Sequence, residues 1–142
     1  MQVEKTPMSE TDMKKMYLRK YLFYLRREDE LLKRIEELRV SKSCPSVVND
    51  GMPRGSAPGD LSGYAAAMDE LTQELKDMQK KAADTKRGIL KRVYKMPDKE
   101  ERTLLRLKYI QGLEWGQVAM CLGYSRRKVL YMHKSAIEHF VL

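Results

Sequence analysis

Ser125, Arg126, Arg127, Lys128, Tyr131 and Lys134 share one short segment with Val129, Met132, Ala136, Ile137 and Phe140, which recur at helical spacing. On a helix that buries the apolar set, the polar set faces outward together. The chemistry on offer is recognition of a polyanion. A guanidinium can grip a guanine edge through two parallel hydrogen bonds, and a lysine ammonium suits a phosphate. Ser125 can cap the helix start and touch a sugar–phosphate backbone. Leu130, on the border, suits a thymine methyl. Three successive cations at a helix start oppose the positive end of its macrodipole. That local cost is removed where something strongly negative meets the same place. Arg126, Arg127 and Tyr131 are the candidates for reading bases, and Lys128 and Lys134 for holding phosphates.

Such residues need an element that aims them. Counting Trp115 as the first position, the fifth is Ala119, small enough for two helices to cross closely. The ninth is Gly123, suited to a turn with left-handed backbone. The fourth, eighth, fifteenth and eighteenth are Val118, Leu122, Val129 and Met132, apolar residues that fill the angle between two helices. All six requirements of a helix-turn-helix are met, with a recognition helix over 125–139. Ahead of it Pro97 ends one helix and Asp98 begins another, with Glu101 placed to complete an acidic capping box. That helix carries Leu104, Leu105, Leu107 and Tyr109 and ends at Gly112. Residues 97–142 thus read as a DNA-binding domain of three short helices.

The preceding residues read differently. From Thr11 to Val40, Tyr17, Tyr21, Tyr24, Leu31, Ile35 and Leu38 follow alternating steps of four and three, with Leu25 and Leu32 beside them. From Gly63 a second stripe runs through Tyr64, Met68, Leu71, Leu75, Met78, Ala82, Thr85 and Ile89. A mean step of 3.5 residues belongs to helices that pack along their length. Between the stripes, residues 41–63 are rich in glycine and proline and carry no period. Residues 1–96 are therefore expected to form a long antiparallel helical hairpin, coiled-coil-like, in an all-α chain. The helices at 11–40 and 63–95 are also the expected homodimer seam. Within the loop, Arg54 in Asn49–Ser56 reads as a linker residue or as an anion contact.

Charge sharpens this division. Residues 86–142 carry thirteen Lys and Arg against five Asp and Glu, which accounts for the whole net charge of +8. A polyanionic partner held at one end fits that asymmetry. No apolar run approaches the roughly 20 residues needed to span a bilayer. Cys44 and Cys121 form no CxxC pair and read as free thiols in a cytoplasmic protein, with Cys121 buried beside Ala119. His133 and His139, six apart, do not stack on one helix face, and His133 reads as structural. No catalytic constellation, metal quartet or phosphate-binding glycine loop stands out, so neither an enzyme nor a cofactor is expected. The basic amphipathic piece KRGILKRVYK suits phosphates or solvent better than a membrane surface.

The stretch LLRLKYIQGLEWGQVAMCLGYSRRKVLYMHKSAIEHF resembles region 4 of bacterial sigma factors. More narrowly, the chain is similar to phage and prophage transcriptional regulators of the RinA/ArpU type, which join a helical hairpin, a GMPRGS-like loop and a sigma-region-4-like C-terminus. The resemblance implies a double-stranded DNA partner and a second surface, on the helix at 98–111, for RNA polymerase. Glu114 and Gly116 depart from the pattern, which implies a weaker first helix of the motif. Two other readings stay open. One is a protein that engages RNA polymerase or its sigma factor with little DNA contact. The other is the DNA-recognition subunit of a phage packaging terminase.

Overall fold

The computed structural model describes residues 7–43 and 58–142. The fold is all-α: five helices and, among the described residues, no strand. They are α1 (Glu10–Ser43), α2 (Pro58–Val93), α3 (Lys99–Tyr109), α4 (Trp115–Leu122) and α5 (Arg126–His139). Both long helices run further into the expected loop, so residues 41–43 and 58–63 are helical, while α2 ends at Val93, short of the expected 95. Pro58 is tolerated because a first-turn residue has no intrahelical partner for its missing N–H. Cys44 and the Asn49–Ser56 motif lie outside the described residues.

Helix ends follow local chemistry. Ser9 Oγ accepts from the Asp12 amide at 3.2 Å and caps α1. Helix α2 ends in Lys91 and Arg92, cations suited to the negative end of the dipole, before Pro97 blocks continuation. Asp98 accepts from the Glu100 and Glu101 amides at 2.8 and 3.2 Å. The expected capping box stops there: the Glu101 side chain turns inward instead of reaching back. At α4 the Glu114 amide donates to Gln117 Oε1 at 3.0 Å, which supports the helix start that Glu114 was expected to weaken.

The chain divides into two compact units, Tyr24–Lys81 and a larger one of Met1–Phe23 with Ala82–Leu142. In the smaller, Leu31 is buried, Ile35, Leu38, Tyr64, Met68, Leu71, Leu75 and Met78 are half-buried, and Lys42 lies over the Tyr64 ring. In the larger, Leu18 of α1 and Ile89, Val93 and Met96 share one core with Leu104, Leu105, Tyr109, Val118, Val129, Ile137 and Phe140. The core therefore crosses Pro97, where a domain boundary was expected. The start of α1 and the end of α2 are part of what supports α3, α4 and α5.

Those three helices pack mutually, α3 and α4 each against α5. A cation from α1 completes the packing: Lys14 Nζ donates to the carbonyls of Ile137 and Glu138 at 3.1 and 3.2 Å. These are among the carbonyls that α5 leaves without intrahelical partners, at the end where its dipole favours positive charge. The Lys14 charge is offset by Glu10 at 3.4 Å.

Candidate nucleic-acid interface

The α4–α5 corner is built on Gly123, whose φ of 74° ends α4 in left-handed backbone. Its amide and that of Tyr124 both donate to the Ala119 carbonyl, at 2.9 and 3.1 Å. The chain then turns through Ser125, whose Oγ accepts from the Lys128 amide at 3.2 Å and caps α5. Ala119 is buried, as its place at the crossing requires. Val118 and Val129 are fully buried, and Trp115, Leu122 and Met132 are half-buried against the same core. Ala136, Ile137 and Phe140 complete the inward face of α5.

All six residues singled out for recognition, Ser125, Arg126, Arg127, Lys128, Tyr131 and Lys134, are exposed together on the opposite face. Tyr131 stands 64% exposed and Leu130 44%. Lys128 Nζ lies 4.1 Å from the Tyr124 ring centroid, and the Tyr124 hydroxyl donates to Glu100 Oε1 at 2.6 Å. Arg126, Arg127 and Lys134 make no ion pair among the described residues. Cys121 is exposed, not buried: it sits on the outer side of the short α4, next to Met120 at 83% exposure.

Behind this face lie polar contacts that periodicity does not reveal. Glu101, 5% exposed, accepts from Ser135 Oγ at 2.7 Å and pairs with His139 Nδ1 at 2.8 Å, tying α3 to α5. The hydrogen bond and the carboxylate charge hold the His139 pKa above the usual histidine value. His133 packs between two aromatic side chains: its Nε2 lies 2.6 Å from the Tyr109 hydroxyl and its ring meets Trp115 edge-on at 4.6 Å. Burial, followed by the charges of Lys15, Lys108 and Arg19, pushes its pKa down to about 4, so the imidazole is neutral at pH 7. Burial likewise pushes the Tyr109 hydroxyl up to about 12. No helix among the described residues is long and apolar enough to cross a membrane. No family model, curated protein or solved structure matches the chain.

Proposed function

We propose that α4, the Gly123 turn and α5 form a helix-turn-helix, and that the chain is a sequence-specific regulator of transcription that reads double-stranded DNA. The observation that carries this reading is the cluster from Ser125 to Lys134, exposed at the start of a helix whose other face is anchored by Val129, Ala136 and Ile137. In such a motif the first turns of the second helix enter the major groove. There Arg126, Arg127 and Tyr131 meet base edges, while Ser125, Lys128 and Lys134 hold phosphates. The phosphate field also removes the unfavourable pairing of cations with the α5 dipole.

In this reading α1 and α2 are the arms of an antiparallel hairpin that also joins two copies, with Leu32, 48% exposed, on the outer seam. The protein acts by binding alone in the cytoplasm of a bacterial host, as a regulator of the RinA/ArpU type, with the exposed side of α3 available to RNA polymerase. Selection of bound duplexes from a random pool tests the proposal. One enriched motif, bound with an affinity that falls steeply as salt rises, is the expected outcome. Recovery of no motif overturns base reading, and a palindromic motif distinguishes a symmetric dimer from a single half-site reader.

A further inference from the structure

A second cationic site lies beside the recognition face. In the larger unit, α1, α3, α4 and α5 enclose an open cleft of about 440 Å³. Lys15 and Arg19, one turn apart on α1, line one wall and Lys108 of α3 another. Lys108 is held in place: its ammonium donates to the Leu113 carbonyl at 3.2 Å and lies 4.6 Å from the Trp115 ring centroid. Trp115, Tyr109 and His133 form the floor, fixed by their mutual contacts. Among the described residues, no carboxylate is in ion-pair range of any of the three cations. The neutral imidazole of His133 adds no positive charge to the cleft, yet it feels all three cations. Three like charges facing one cavity repel one another, and an anion placed among them reverses that cost.

The cleft is continuous with the α5 surface. Leu130 lines it, and Leu130 also lines the shallow patch formed with Arg127, Tyr131 and Lys134. We propose that Lys15, Arg19 and Lys108 seat a phosphodiester of the same duplex that α5 reads, which makes α1 a DNA-binding element as well as a support. This inference rests on the proposed function, and it assigns to α1 a role that no feature of the α1 apolar stripe suggested. The contact is to backbone, so it sets affinity and register without reading sequence.

The test uses the full chain and a duplex carrying the selected motif, with affinity measured across a salt series. Wild type is compared with Lys15→Ala/Arg19→Ala and with Arg126→Ala/Arg127→Ala. The cleft variant is expected to bind roughly tenfold more weakly, with a salt slope shallower by up to about 0.9 for the one phosphodiester lost, and to select the same motif. Unchanged affinity and slope in that variant, alongside lost sequence preference in the α5 variant, overturn the cleft and leave the proposed function standing. A wild type that binds no duplex overturns both. The chain has a single tryptophan, so Trp115 gives an independent readout. Duplex should shield it from acrylamide in wild type and shield it less in the cleft variant. Equal shielding in both proteins, or shielding by inorganic phosphate with duplex affinity untouched by the variant, assigns the cleft to something other than bound DNA.

Discussion

His139 Nδ1 lies 2.8 Å from Oε2 and 3.0 Å from Oε1 of Glu101, a contact between the end of α5 and the first turn of α3. The same carboxylate accepts from Ser135 one turn earlier on α5. One buried acid thus fixes the angle at which α5 leaves the core, and with it the aim of the exposed residues at the other end of that helix.

This pairing makes stability depend on pH. The folded pKa of His139 stands above the 6.5 of an unperturbed histidine. Its contribution is therefore complete below that value and is lost as pH rises through the raised one. The melting temperature is expected to fall on the alkaline side, over the range above pH 6.5 in which His139 loses its proton. Glu101→Gln keeps an acceptor for Ser135 but removes the charge, so it should flatten this limb. Thermal melts of the two proteins across that range check it, and parallel curves would refute the assignment.

His133 gives the opposite slope. Its folded pKa of about 4 lies below 6.5, so the unfolded chain binds the proton more readily. Its contribution is present above 6.5 and is lost as pH falls toward 4. His133→Phe should lower stability at pH 7, because Tyr109 loses its partner, and yet weaken the decline on acidification. Imidazole resonances followed by NMR from pH 7 to about 4.5 should show His133 unprotonated throughout most of the range.

How far the fold could be read from sequence depended on the kind of interaction. The apolar stripes and the corner at Ala119 and Gly123 were legible because close crossing, left-handed backbone and periodic burial each demand a residue type at a fixed spacing. The exposed set on α5 followed as the complement of Val129, Met132, Ala136 and Ile137. Lys14 was not legible: its carbonyl partners lie more than a hundred residues away, and a lysine near a helix start reads as solvated. Glu101 was placed correctly for a capping box but drawn inward by Ser135 and His139, partners that only tertiary packing supplies. Leu18, beside Tyr17 in the α1 stripe, was passed over for the same reason, although it is fully buried among the core residues of the larger unit. The cationic cleft was invisible because Lys15, Arg19 and Lys108 come together only once α1 lies against α3 and α4.

Lys14 should matter well beyond a surface lysine. Lys14→Met keeps the aliphatic stem but leaves the Ile137 and Glu138 carbonyls without their charged donor. A hydrogen bond to a charged group is worth about 1.5–3 kcal/mol, so a loss near the lower end of that range is expected in chemical denaturation. Amide exchange at the end of α5 should rise before exchange elsewhere. Leu18→Ala, which leaves a cavity in the same unit, should cost about 2–5 kcal/mol.

Gly123 isolates backbone strain from packing. A Cβ built there meets nothing within 4 Å, while its φ of 74° is one that L residues rarely adopt. Gly123→Ala should therefore cost about 1–2 kcal/mol from conformation alone. Gly123→Asn should cost less, because asparagine tolerates left-handed backbone better, and Gly123→Val more. If the corner aims α5 at DNA, duplex affinity should fall in the order Asn, Ala, Val while the motif selected by the Asn variant stays that of wild type. Gly112 provides the contrast: its φ is 71° and a Cβ there would lie 3.3 Å from Leu22 Cδ2, so strain and crowding add. Equal losses of stability at the two glycines would mean that conformation alone sets the cost at both. A larger loss at Gly112, with DNA binding reduced only in proportion to the folded fraction, would place the demand there in the core, not at the DNA.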